Sequence, residues 1–123
     1  MRPQPETAVV TVTVTPVQQD AVRVSVAGEV DMSSAPKLRA ALAGAIESWP
    51  RRRLEVSLAG VRFFDASGIH ALLDARRRAA KDGRDLVVVA AQPMVCQVLR
   101  LTGVLDVLAP DGIEKVPKAH VVT

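Results

Sequence analysis

The side chains best suited to chemistry crowd into one stretch: Asp65, Ser67, His70 and Asp74, the first three within FFDASGIH at 63–70. A helix beginning at Ser67 places Ser67, His70 and Asp74 at i, i+3 and i+7 on one face, an order that mimics a Ser-His-Asp relay. A relay also needs oxyanion donors and a substrate cleft, and the G-x-S-x-G elbow is missing. No P-loop, G-x-G-x-x-G or metal-ligand cluster occurs in the chain either. His70 and Asp74 therefore read as a solvent face opposite Ile69, Leu72 and Leu73. Two other roles fit the serine. Ser67 or Asp65 can cap the helix, which is worth about 1 kcal/mol. A serine in a first helical turn can also accept a phosphoryl group, adding roughly −1.5 to −2 charges beside Asp65 and spoiling a surface that binds a partner when bare.

The flanking patterns predict the elements that hold this stretch. Valine alternates with threonine over 9–15 and with polar residues over 21–28, which predicts two antiparallel strands. Asp31, Ser33 or Ser34 can cap a helix that Pro36 begins and Trp49-Pro50 ends, with Leu38, Leu42, Ala45 and Ile46 at helical spacing. LEVSLAG at 54–60 alternates as a strand, and the helix from Ser67 stops at Lys81-Asp82-Gly83. The apolar run 85–91 suits an interior parallel strand. Residues 92–103 read as a short helix, 104–108 as a brief strand or turn, and the chain from Pro110 as a loosely held tail. The fold class expected is α/β: a mixed, mostly parallel sheet with an antiparallel edge strand and helices packed against it. Sites in such sheets lie beyond the carboxyl ends of the strands, which selects GEVDMSS at 28–34 and FFDASG at 63–68.

Bulk properties narrow the function classes. The 123 residues are 49% hydrophobic and 24% charged, enough for one domain with a core of its own. The net charge is +3 with one Trp, two Phe and no Tyr, which argues against nucleic acid as a partner. The Arg51–Arg53 run reads as a solvated turn and Arg76–Arg78 as a helix end. The single cysteine, Cys96, suggests a reducing compartment. No membrane-length apolar run or secretory pattern is present, so a cytoplasmic location is expected.

GEVD at 28–31, LEVSLAGVRFFDASGIHALL at 54–73, the strand entry from Gly83 and VLRLTGVLDVL at 98–108 together resemble the STAS-domain family, and more narrowly the bacterial anti-sigma factor antagonists. The resemblance covers roughly residues 8–110, leaving 1–7 and 111–123 as expected loosely ordered tails. It implies a STAS-like single domain that catalyses nothing and needs no metal or cofactor. In such proteins a partner that is both anti-sigma factor and serine kinase phosphorylates the serine in the place of Ser67. The bare form binds that anti-sigma factor and frees the sigma factor; phosphate ends the binding, and a serine phosphatase restores it. Asp65 matches the acidic residue of the loop and Asp31 the aspartate beside it. Partner contacts are then expected from Asp31, Ser33, Ser34, Phe64, Asp65, Ala66, Gly68, His70 and Asp74, with one of Phe63 and Phe64 in the core and the other shielding the loop. Relatives often carry a second serine where Ala66 stands, and an aspartate at Ser57. A signalling scaffold or phosphatase regulator of another circuit is the alternative within the fold. A small-ligand-binding module is another, and it would need an apolar cavity.

Overall fold

The computed structural model describes residues 10–116. Alternation of apolar and polar side chains over the first two segments gives β1 (Val10–Gln18) and β2 (Ala21–Val30), joined by a tight turn and paired antiparallel. Thereafter strands and helices alternate: α1 (Ala35–Ser48), β3 (Arg53–Phe64), α2 (Ala66–Ala80), β4 (Leu86–Ala91), α3 (Pro93–Leu101), α4 (Leu105–Leu108) and β5 (Glu114–Lys115). The sheet order is β1-β2-β3-β4-β5, and every pairing after the first is parallel. The expected α/β class with an antiparallel edge is the observed one.

Helical periodicity aims Leu38, Leu42 and Ile46 of α1, and Ile69 and Leu72 of α2, into one buried cluster with Val22, Val24, Val56, Leu58 and Val88 of the sheet. At roughly 25 cal/mol per Å² of apolar surface removed from water, this cluster is the main stabilising element of the domain. The sheet's other side keeps Thr11, Thr13 and Ser25 exposed and pairs Arg23 with Glu55 at 2.9 Å. Gly83, at φ 74°, ends α2 in the left-handed conformation that L side chains resist, as the sequence pattern predicts.

Two expectations fail near the carboxyl terminus. Residues 104–108, read as a strand or turn, contain the short helix α4, because the Val104 and Leu105 carbonyls accept the amides of Leu108 and Ala109. Within the expected tail at 111–123, Glu114 and Lys115 pair with Ala90 and Ala91 instead. The remaining tail expectations, for 1–7 and 117–123, lie outside the described residues.

Candidate functional site

Strands β2 and β3 run parallel and end together, with Val30 opposite Phe64, and the Asp65 amide donates to the Val30 carbonyl at 3.3 Å. Two loops, 31–34 and 65–67, are therefore held side by side where parallel strands deliver their carboxyl ends. Asp31, Ser33, Ser34, Asp65, Ala66, Ser67 and Gly68 all belong to this end of the sheet. His70 and Asp74 lie further along α2.

In the second loop Asp65 is the N-cap of α2. Its backbone is extended, and its carboxylate accepts from the Ser67 amide at 2.9 Å, satisfying one of the helix's open donors. Ser67 is half-buried, and its hydroxyl makes no hydrogen bond among the described residues. Of the two candidate caps, Asp65 does the capping.

Gly68 is required by packing. A Cβ at this position would stand 2.5 Å from Phe64 Cε1 and 2.9 Å from Val30 Cγ1. The Phe64 ring lies where a side chain would go, so the glycine that follows the serine is a packing requirement. Phe64 itself is only 3% exposed, which corrects its place among the expected contact residues. The aromatic that meets solvent is Phe63, at 46%.

Register explains the exchange. Gly28 pairs with Val61 but Glu29 with Phe63, leaving Arg62 as an extra residue, and an earlier irregularity sits between the Ser25–Ser57 and Ala27–Gly60 pairs. Each bulge reverses the in-out sense of the residues that follow. Leu58, Val61 and Phe64 are all buried at spacings of three, and Phe63 is turned out. Simple alternation carries no signal for this.

In the first loop the Asp31 carboxylate accepts from the Ser33 amide at 2.9 Å, the Ser33 hydroxyl at 2.8 Å and the Ser34 amide at 3.1 Å. These donors, the Ser33 hydroxyl first, hold the Asp31 carboxyl below the ordinary carboxylate range. Ser34 is buried; it donates to the Glu29 carbonyl at 2.7 Å and accepts the Asp31 amide at 3.0 Å. Ser34 occupies the N-cap of α1 without a side-chain cap bond, so the aspartate closes the turn that leads into that helix. Within this loop Met32 is 80% exposed, a feature the sequence pattern did not single out.

The relay geometry does not form among the described residues. Asp74 is engaged by Arg39 of α1 and by Arg77, and the Arg39 hydrogen bond foremost pulls its carboxyl below the ordinary range. No hydrogen bond links His70 to Ser67 or to Asp74. Asp74 thus ties α2 to α1, while Ala66 and His70 remain exposed. No group of three or more His, Cys, Asp or Glu is gathered as metal ligands among the described residues. Between α1 and α2 runs a groove of about 450 Å³ over Ala40, Ala43, Ala71 and Ala75, walled by Arg39 and Arg78. It lies at the surface, with Pro36, Arg39 and Ala40 exposed, and does not enter the core that a small-ligand module would hollow out. Among the described residues no helix is long and apolar enough to cross a membrane.

Comparison with known proteins agrees with this architecture. A family model described as "Mlab, STAS domain" matches residues 14–110. An anti-sigma factor antagonist from Mycobacterium paratuberculosis superposes with a TM-score of 0.69 at 28% identity, over 82% of this chain and 83% of that one. The anti-sigma factor antagonist SpoIIAA in its unphosphorylated form gives 0.67 at 18% identity, over 89% of each chain. The Bacillus cell fate determinant SpoIIAA in the phosphorylated form gives 0.58 at 20%, over 89% and 92%.

Proposed function

The chain belongs to the STAS-domain family, and from that premise we propose that it is an anti-sigma factor antagonist switched at Ser67. In its bare form it binds an anti-sigma factor that is also a serine kinase, and so releases a sigma factor. Phosphorylation of Ser67 ends that binding, and a serine phosphatase reverses it. The protein is acted upon and is not itself an enzyme.

The observation that carries this reading is the state of the Ser67 hydroxyl. It stands in the first turn of α2 with no hydrogen-bond partner among the described residues, whereas the Ser33 hydroxyl is donated to Asp31 and Ser34 is buried and bonded. A phosphate there would add roughly −1.5 to −2 charges next to Asp65, whose carboxylate already takes the Ser67 amide. The added group would stand beside a like charge. The mycobacterial neighbour, an anti-sigma factor antagonist at 28% identity, supports the role, and the parallel-strand end supports the place.

Affinity isolation with wild type, Ser67→Ala and Ser67→Asp tests it. Wild type and Ser67→Ala should retain one anti-sigma kinase and Ser67→Asp should release it; equal retention by all three would refute the switch. Mass spectrometry after kinase treatment should place phosphate on Ser67, and phosphate on Ser33 or Ser34 instead would refute the site.

A further inference from the structure

We infer that the outer edge of β1 is a self-association surface, at which a second copy of this chain adds its own β1 antiparallel across a two-fold axis near Thr13 and joins two five-stranded sheets into one. The sheet treats its two edges differently. At one edge β5 is only two residues long, a common way of blunting an edge. At the other, β1 runs for nine residues, and among the described residues no strand pairs with its outer side. The other common device, a charged side chain, is missing there: from Thr7 to Gln19 the sequence carries no charge.

Phase decides which backbone groups face outward. The Arg53 amide donates to the Asp20 carbonyl at 2.7 Å, so Asp20 and Val22 turn their backbone groups to β3, while Ala21, Arg23 and Ser25 turn theirs to β1. The β1 partners of Arg23 and Ser25 are Thr15 and Thr13, and the register runs without a shift from Val10 to Pro16. The amides and carbonyls of Val10, Val12 and Val14 therefore point away from the sheet. Pro16 falls in the same outward set, where its missing N–H breaks no ladder bond.

A row of outward donors and acceptors is matched by another strand, and this strand matches itself. The side chains of Val12 and Val14 are half-buried against the core, while those of Thr11, Thr13 and Thr15 are exposed on the other face. Antiparallel pairing near Thr13 sets valine beside valine on one face and threonine beside threonine on the other, with no charge opposed to its own copy. The neighbouring helix fits the same arrangement. Because α1 packs across both β1 and β2, two copies would carry their α1 helices about two strand spacings, roughly 10 Å, apart, an ordinary helix-packing distance. The flank of α1 turned from α2 holds Ala41, Gly44 and Ser48, small and neutral, with Lys37 at its start. A Cβ at Gly44 would meet nothing within 4 Å, and glycine inside a helix costs stability relative to alanine. No contact among the described residues requires that glycine, whereas a second α1 close by would. Strand pairing alone falls short of the roughly 800 Å² per partner of a standard interface, and the α1 flanks add to it, so the dimer is reversible.

Sedimentation of the full chain, alone and bare, across a concentration series tests this apart from the switch. Wild type should pass from monomer to dimer between about 1 μM and 1 mM. Thr13→Lys sets like charges together at the axis and should stay monomeric throughout, as should Thr13→Glu, while an equimolar mixture of the two should dimerise again. Thr13 is exposed, so both variants should keep the wild-type thermal midpoint. Hydrogen exchange gives a reading without substitution: the Val12 and Val14 amides should be slowed only at dimeric concentrations, and the Thr13 and Thr15 amides at all of them. A wild-type monomer at every concentration would overturn the inference. So would a dimer of Thr13→Lys, a folded mixture that stays monomeric, or Val12 and Val14 amides that exchange alike in monomer and dimer.

Discussion

The two ends of the sheet use polar side chains in opposite ways. At the end where α1 finishes and β3 and β4 begin, one buried guanidinium ties distant segments together. The Arg84 side chain, 6% exposed, donates to the carbonyls of Ile46 at 3.0 Å, Trp49 at 3.0 Å and Arg52 at 3.4 Å, and to Asp82 at 2.9 Å. Arg52 lies over the Trp49 ring at 5.1 Å and donates to the Gln18 carbonyl at 2.9 Å. At the Ser67 end, the side chains of Asp31 and Asp65 bond within their own loops, and among the described residues the side-chain ties between segments are the loose pair of Arg62 with Glu29 and the Gln92 amide, which donates to the Ala59 carbonyl at 2.8 Å. One end is stitched; the other is capped loop by loop, with apolar groups left outward. The difference separates an end held by ties between distant segments from an end whose loops are largely self-contained, and under the proposed switch the second is the end that would meet a partner.

The sharpest test of that contrast is Arg84→Met. Methionine keeps much of the apolar stem but leaves the carbonyls of Ile46 and Trp49 without their donor, and the expected loss is about 2–4 kcal/mol in denaturant unfolding. Because Asp82 is 62% exposed on its side chain, Asp82→Asn should cost under roughly 1 kcal/mol, so the carbonyls and not the ion pair carry the effect. If Asp82→Asn were as damaging as Arg84→Met, the stitching would be electrostatic and the contrast would have the wrong cause. Binding at the Ser67 end should be unchanged for either variant where it folds.

Next in size is Gly68→Ala. Its methyl would collide with the Phe64 ring, which is already fully enclosed, and overpacking of this kind costs about 1–3 kcal/mol. Phe64→Leu in the same chain should return part of that loss, since the two residues share one space. An additive double variant would mean that Gly68 is needed for backbone freedom instead. Beneath its loops the Ser67 end is thus as tightly packed as the other; only its polar layer is local.

Smaller again is Asp65→Ala, which removes the cap and should cost about 1 kcal/mol by thermal or denaturant unfolding, against about zero for Ser67→Ala. The reverse order would make the serine the cap and weaken the case that its hydroxyl is available.

These residues also mark what was legible in the chain. Alternation over β1 and β2, Pro36 and Gly83 at helix boundaries, and the apolar run of β4 were readable because each depends on neighbours in sequence. Placement of the 31–34 and 63–68 loops at one end followed from a rule about parallel sheets. What escaped depends on pairing. The bulge at Arg62 exists only relative to β2, so the inward turn of Phe64 and outward turn of Phe63 could not be assigned from a pair of adjacent phenylalanines. The packing need for Gly68 escaped because the ring that requires it comes from the preceding strand. Asp74 looked available because Arg39 reaches it from another helix. The parallel pairing of tail and sheet at β5 is too short to leave a pattern at all.

The smallest effect, and the one most specific to the Ser67 end, concerns acid. The carboxyl of Asp31 is held below its ordinary value by the Ser33 hydroxyl and the Ser34 amide. A carboxyl whose folded value lies under its unfolded value of 3.8 binds protons more readily when unfolded. Its contribution to stability is therefore complete above that unfolded value and is lost as pH falls through the folded one. Asp31→Asn keeps an oxygen acceptor in place but has no charge to lose. The expected result is a modest deficit relative to wild type near neutral pH that closes as the pH is lowered below about 4, measured as unfolding midpoints across the series. Curves that stay parallel to the lowest pH would mean the loop is held by geometry alone. In that case Asp31 would serve as a turn former whose charge, still present at neutral pH, adds nothing to stability.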